Sequence, residues 1–315
     1  MEREMWQQSS TPDPVNLSYR ISSLEYPIHN SSNYTSSAFS TSFLRQNDLY
    51  QQQYNCIFLC MVLLLPTLCY SNNYVSRTAY YTTPDGMGIP TGACGYGENG
   101  KDVNNGEVCA ASKRLYKNGA ACGACYQVRC KDKGLCSDEG TKVVVTDTGE
   151  GHGTDFILSY RAYAKLAKQP NMAQQLFAKG VVEVEYRRVS CKYGNLMLKI
   201  HEHSKYPHYL AIVVMNQGGA TDILAVQVSF YHINKEETKE WISMRRVYGA
   251  VFDLSSPPSG ELNVRFLTSA GAETKWVQSD KAVIPAEWKA GLLYIHSALL
   301  DMKIQVLSHI SGATW

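Results

Sequence analysis

Every cysteine after residue 71 lies between Cys94 and Cys191, and none follows. Cys94, Cys109, Cys122, Cys125, Cys130, Cys136 and Cys191 can staple one half of the chain, whereas the other half must be held by packing alone. At 315 residues the chain is long enough for two domains, each with its own core. The expectation is a cross-linked first domain and a cysteine-free second one. An odd count leaves one thiol over, and sequence by itself does not assign the pairing.

Disulfides require export, and the chain offers a signal for it. Ile57 to Tyr70 is an apolar run of 14 residues, short for a membrane span but suited to the core of a secretory signal. Arg45 precedes it, and Cys69-Tyr70-Ser71 offers small residues for cleavage after Ser71. Residues 56–71 are therefore read as a signal peptide that takes Cys56, Cys60 and Cys69 with it. A buried core segment and an uncleaved signal anchor are the competing readings. Residues 1–55, rich in Ser, Asn, Gln and Tyr without periodicity, are expected to be disordered or absent from the true product. They hold the chain's Asn-x-Ser/Thr sequons, at Asn16, Asn30 and Asn33.

The charge is nearly balanced, with Lys+Arg 30 against Asp+Glu 28, and no basic run interrupts the chain. Electrostatics therefore gives no reason to expect nucleic acid, and none is expected as a partner. The 21 tyrosines suit a weakly charged polymer such as a glycan, because an aromatic ring lies well against the apolar face of a sugar.

Residues 72–189 read mostly as strand. Ser159 caps a helix carrying Leu158, Ala162, Tyr163 and Leu166 at helical spacing, which Gln169-Pro170 ends. Val182, Val184 and Tyr186 alternate with Glu183, Glu185 and Arg187, the pattern of a half-buried strand. Residues 190–195 form a junction. Residues 196–291 then supply strands at Leu196 to Ile200, Tyr209 to Met215, Leu224 to Phe230, Trp241 to Phe252, Leu262 to Phe266 and Trp276 to Ile284. Leu224, Val226, Val228 and Phe230 are expected to share one face. Residues 292–315 are an extension in which Ile295 to Leu300 looks like an insertion before Asp301 to Gln305, the stretch being either a last strand or absent from the true product.

Two cysteine-based chemistries compete with bridging. Cys122-Gly-Ala-Cys125-Tyr126 matches the surroundings of a papain-type nucleophile, but such an enzyme places its histidine roughly 130 to 150 residues downstream. His232 and His296 miss that window. Cys122, Cys125, Cys130 and Cys136 could hold zinc, yet a second ligand pair at regular spacing is lacking, and export favours bridges. No metal and no cofactor are expected.

The motifs Gly92-Ala-Cys-Gly-Tyr-Gly97, Cys122-Gly-Ala-Cys-Tyr-Gln-Val-Arg-Cys130, Val145-Thr-Asp147, Glu185-Tyr-Arg-Arg-Val-Ser-Cys191, Tyr248-Gly-Ala-Val-Phe252 and Val283-Ile-Pro285 stand in the order and spacing of expansins. From about Tyr74 to Gly291 the chain resembles the expansin-like B family. The resemblance implies an all-β, two-domain protein: a six-stranded double-psi β-barrel like that of family-45 endoglucanases, then an immunoglobulin-like carbohydrate-binding β-sandwich. It also implies bridges Cys94 to Cys122, Cys125 to Cys191 and Cys130 to Cys136, with Cys109 the spare thiol.

An endoglucanase-like barrel needs two carboxylates, about 6.5 to 9.5 Å apart for inversion. Asp147 stands at one family position. The family's His-Phe-Asp stretch reads Asp155-Phe156-Ile157 here, so an isoleucine holds the acid position. Asp155 lies two residues earlier, roughly 7 Å away on the same side of an extended strand, and so can still look into the groove. Asp147 has an equal alternative role, accepting backbone N–H bonds in the loop after it. Glu150 and His152 are further exposed loop residues. Tyr81 matches a groove tyrosine, whereas the threonine expected before it is displaced from 79 to Thr78. Tyr209 and Tyr248 match surface aromatics that stack on glucan, while Trp241 and Trp288 are expected to pack.

The polysaccharide-binding residues are thus read as Tyr81, Asp147, Asp155, Tyr209 and Tyr248, with no catalytic residue. The expected function is that of a secreted, monomeric cell-wall protein that binds β-glucan or xyloglucan without cleaving it and keeps no membrane attachment after signal removal. A weak endoglucanase-type hydrolase and a membrane-anchored interaction protein are the alternatives.

Overall fold

The first six strands close on themselves. In the computed structural model, which describes residues 73–83, 92–191, 196–230, 240–270 and 273–294, these are β1 (Tyr74–Tyr80), β2 (Val108–Ala111), β3 (Cys125–Cys130), β4 (Thr141–Thr148), β5 (Phe156–Leu158) and β6 (Val182–Arg188). They form a barrel in the order β1-β5-β2-β4-β3-β6, shut by the antiparallel pairing of β6 with β1. Closure leaves no unpaired edge. On β6, Val182, Val184 and Tyr186 are buried and Glu183 is exposed, as alternation requires. Tyr126, Phe156 and Tyr186 pack edge to face inside.

Ser159 does cap a helix, its Oγ accepting the Ala162 N–H at 3.2 Å. That helix is shorter than expected, Tyr160–Ala164. Pro170 instead opens a 3-10 turn that leads into a further helix, Ala173–Lys179, which local patterning does not announce. A proline's preset φ suits a first turn as well as it blocks an interior, so the residue alone does not say which.

The bridges pair Cys94 with Cys122, Cys125 with Cys191 and Cys130 with Cys136, at Cα separations of 5.5, 5.9 and 5.6 Å. Cys109 is buried and unpaired. Non-reducing peptide maps should return these three bridges and one free thiol. Replacing Cys125 and Cys191 together opens a loop of 66 residues. It is expected to cost about 2–5 kcal/mol, read from the denaturant midpoint. An unmoved midpoint would contradict this.

The second half comprises β7 (Met197–Ile200), β8 (Tyr209–Met215), β9 (Asp222–Phe230), β10 (Ile242–Tyr248), β11 (Val251–Ser255), β12 (Leu262–Ala270), β13 (Glu273–Gln278) and β14 (Leu293–Tyr294), in the sheet order β13-β12-β9-β10-β11-β8-β7-β14. Strand β10 pairs first with β9 and then with β11, so the sheet folds over into a sandwich. Leu198, Ile212, Val226, Phe252, Phe266 and Trp288 fill its core.

Three expectations need correction. The stretch 241–252 is two strands, reversed at Gly249, whose φ is +49°. Leu224 is exposed because a bulge shifts the β9/β12 register beside it, which puts Ile223 rather than Leu224 into the core. Trp241 is not a core residue but lies under the Arg265 guanidinium, 4.4 Å from its ring centre, with Trp276 equally close to that group. Strand β14, at the start of the C-terminal stretch that sequence leaves open, pairs with β7. The signal segment 56–71, residues 1–55 with their sequons, positions 192–195 and residues 295–315 lie outside the described residues. Among the described ones no helix is long and apolar enough to cross a membrane.

Barrel and sandwich belong to one compact unit, Cys69–Trp315. Main-chain bonds sew them together: Ala250 N–H to Cys94 O at 3.0 Å, Cys125 N–H to Gly219 O at 3.0 Å and Cys191 N–H to Gly218 O at 2.8 Å. The buried Asp222 carboxylate of β9 receives Lys117 at 2.6 Å and Arg188 at 2.9 Å, both from the barrel side. Val144 and Val108 share an apolar cluster with Val213, Met215 and Val251.

Candidate functional site

Pairing places Ala79, Ile157, Ala110 and Asp147 side by side on β1, β5, β2 and β4. Neighbouring strands lie about 4.8 Å apart, so positions 157 and 147 are separated by roughly 10 Å of backbone. In this row Asp147 is the one carboxylate, and Ala79, Ile157 and Ala110 beside it are apolar. Ile157 packs so closely that a Cβ added to Gly149 would meet its Cδ1 at 3.3 Å.

Asp147 is bound on its near side. Its Oδ1 accepts the N–H groups of Ala93 at 2.7 Å and Thr148 at 2.8 Å, and the Tyr81 phenol also hydrogen-bonds to the carboxylate. Burial, reinforced by the Asp147 charge, pushes the Tyr81 hydroxyl far above its ordinary range, so it stays protonated. Thr78 faces the other way, fully buried and donating to Phe156 O at 3.1 Å, so no hydroxyl stands at 79. One residue of register decides that.

Asp155 is tied elsewhere. Ser112 Oγ donates to Oδ1 at 2.7 Å, and Arg114 reaches Oδ2 at 2.7 Å with the Tyr186 hydroxyl 3.4 Å from the same oxygen. Burial by itself would raise this carboxyl, but the bonds from Ser112 and Ser76 and the Arg114 charge outweigh it and hold it below the usual range. Glu150 in the adjoining loop accepts the Lys113 backbone N–H at 3.4 Å and lies 3.9 Å from its Nζ, and His152 is exposed.

The segment starting at Gly92 carries the site from barrel to sandwich. Ala93 binds Asp147 through its N–H and takes the Tyr116 hydroxyl on its O at 2.7 Å. Cys94 O binds Ala250. A Cβ added to Gly95, whose φ is +77°, would lie 2.9 Å from the Tyr248 ring. Only a glycine allows that approach.

Beyond the joint, β11 lines up the sandwich groups, since Val251 stands opposite Tyr248, Asp253 opposite Arg245 and Ser255 opposite Tyr209. Four residues of strand span roughly 14 Å. A register shift between Arg246 and Tyr248 lets Arg245 and Tyr248 share the outer face despite their odd spacing. Asp253 is clasped by Arg245 at 3.0 and 2.6 Å and by the Tyr209 hydroxyl at 2.9 Å, and the Arg245 bond is what chiefly holds its carboxyl below the usual range. The structure thus joins Tyr81 to Asp147, and Tyr209 to Arg245 through Asp253, with Tyr248 on the strand that carries Arg245; Asp155 sits in a separate network. Arg245, Asp253 and His201, which touches Tyr248 at 3.3 Å, are not picked out by the sequence motifs. A charged residue inside the apolar run Val251-Phe-Asp-Leu254 was the available hint.

Residues 196–285 match the family model described as Expansin C-terminal domain, and residues 108–186 match one described as Lytic transglycolase. Expansin-like B1 of Arabidopsis thaliana is 53% identical over 247 residues, spanning 78% of this chain and 96% of that protein. Expansin-like B1 of Oryza sativa subsp. japonica is 42% identical over 246 residues, spanning 76% and 93%. Among solved structures, an apo expansin of Clavibacter michiganensis superposes with a TM-score of 0.52 at 18% identity, covering 72% of this chain and 96% of that one. A mutant of that protein in complex with cellohexaose gives 0.53 at 17%, with the same coverage. At such identity the likeness is one of fold.

Proposed function

Because this chain belongs to the expansin-like B family, we propose that it is a secreted cell-wall protein that binds β-glucan or xyloglucan along the strip from Tyr81 and Asp147 to Tyr248 and Tyr209 and does not cleave it. The observation that carries this reading is the row across β5, β2 and β4, in which Ile157 stands where a second carboxylate would face Asp147. Hydrolysis needs an acid whose proton is held near neutral pH, so its carboxyl must be pushed up. Asp155 is instead pushed down, by bonds to both of its oxygens. It can hold the groove in shape or touch a sugar hydroxyl, but it is not a proton donor.

The signal peptide at residues 56–71, with barrel and sandwich at 72–189 and 196–291, completes the reading of a protein exported to the wall as a monomer. The cellohexaose found with the Clavibacter expansin supports a glucan ligand by likeness of fold.

The test uses the intact protein on soluble β-glucan and on insoluble cellulose. Retention on cellulose with no release of reducing sugar is expected. Sugar release that Asp147→Asn abolishes would replace this reading with the weak hydrolase. Ile157→Asp is expected to restore one carboxylate without producing a strong hydrolase, because Asp147, the carboxylate that would have to activate water, is already engaged by the N–H groups of Ala93 and Thr148 and by the Tyr81 phenol.

A further inference from the structure

The hydroxyl of Tyr248, a residue 45% exposed, lies 3.3 Å from Nε2 of His201, just past the end of β7. The other ring nitrogen is already engaged, since Nδ1 accepts the backbone N–H of His203 at 3.2 Å. A neutral imidazole has one donor and one acceptor nitrogen, and a backbone N–H can only donate. The proton therefore sits on Nε2 and is given to the Tyr248 oxygen. That leaves the phenol's own O–H to turn outward. The imidazole is firmly held, because the His201 side chain is only 14% exposed and its backbone N–H is anchored on Ala211 O at 2.8 Å.

Resting on the platform reading above, we propose that His201 is a positioning residue of the glycan-binding face, whose tautomer, locked by the His203 N–H, orients the Tyr248 hydroxyl as a hydrogen-bond donor to a sugar oxygen. Stacking fixes where a sugar lies but scarcely how it is turned. A hydroxyl of fixed polarity adds that discrimination.

The same lock responds to acid. Charged and titratable groups facing His201 are Glu202, with Oε2 at 4.0 Å from Nδ1, the His203 ring at 4.9 Å, Lys199, paired to Glu202 at 2.5 Å, and Tyr248 itself. A second proton on Nδ1 meets the His203 N–H donor to donor, with the Glu202 carboxylate beside it as a better partner. The ring then leaves the turn and Tyr248 loses its orientation. Burial, against the pull of Glu202, holds His201 below the ordinary histidine range, so the locked form is the resting one at neutral pH.

The experiment measures retention of the intact protein on insoluble cellulose from acidic to neutral pH for the parent, His201→Gln, Tyr248→Phe and Tyr248→Ala, together with ring-nitrogen NMR of His201. The parent is expected to bind more weakly at the acid end, by roughly two- to tenfold, the worth of one hydrogen bond. His201→Gln and Tyr248→Phe should both flatten that profile, since neither retains the titrating pair, and NMR should find the neutral ring protonated on Nε2. A profile in His201→Gln as steep as the parent's, or a neutral ring protonated on Nδ1, overturns the inference while Tyr248→Ala still binds poorly. If Tyr248→Ala binds like the parent, the platform reading falls and this inference with it.

Discussion

Gly249→Ala is expected to cost roughly 2–5 kcal/mol and to make the barrel and sandwich unfold in two separate transitions. The left-handed backbone at Gly249 costs an L-residue about 1–2 kcal/mol, and overpacking at a site that cannot give adds about 1–3 kcal/mol. The site cannot give because the obstacle is main chain: an added Cβ would lie 2.2 Å from Ala93 O and 2.6 Å from Cys94 Cα. Gly249 O also accepts from Arg246, whose guanidinium reaches Gly119 O across the joint. Gly291→Ala is the control, since its φ is +81° but nothing lies within 4 Å of the added carbon. Urea unfolding of both variants separates backbone strain from loss of the joint. Equal midpoint shifts in the two would mean that the joint contributes nothing.

Tyr209→Ala and Tyr248→Ala should each weaken cellulose binding substantially. A ring laid on a sugar hides on the order of 50–100 Å², worth roughly 1–2.5 kcal/mol or about five- to sixtyfold in affinity. The double variant is expected to fall by about twenty-five-fold to a few thousandfold if the two rings act independently. Tyr209→Phe keeps its ring and gives up only the bond to Asp253, which Arg245 still holds. It should bind nearly as the parent does. Because stacking is not ion pairing, salt should leave retention largely intact, whereas an electrostatic grip on acidic pectin would weaken steeply. Binding that survives both alanine changes, or that vanishes in moderate salt, sinks the platform.

Much of this site could be read from local residues. Asp147, Tyr81, Tyr209 and Tyr248 come forward as a carboxylate and aromatics at spacings that fit expansins, and Ile157 shows as a missing acid without any coordinates. Asp155 marks where that reading stops. Its distance along the strand from Ile157 was correct arithmetic, but the competition for its oxygens comes from Ser112 and Arg114, far off in sequence. Trp241 and Tyr248 show the same limit, because a parity argument holds only for an unbroken ladder and β10 contains a register shift.

A single stretch of backbone imposes its pattern on its own side chains, and that much is written in the amino-acid order. Such are the cross-linked first half, the alternation of Val182, Val184 and Tyr186 and, once the likeness to expansins supplies the pattern to compare with, Ala79 where a threonine is expected and Ile157 where an acid is. Which distant groups share space was settled only when the chain closed on itself. Arg245, Asp253 and His201 gather around Tyr209 and Tyr248, and the segment from Gly92 to Gly95 links Asp147 to that face. The reason is that strand periodicity is local, whereas register, bulges and the filling of a carboxylate's lone pairs are set between elements by hydrogen bonds whose partners meet only in the closed fold.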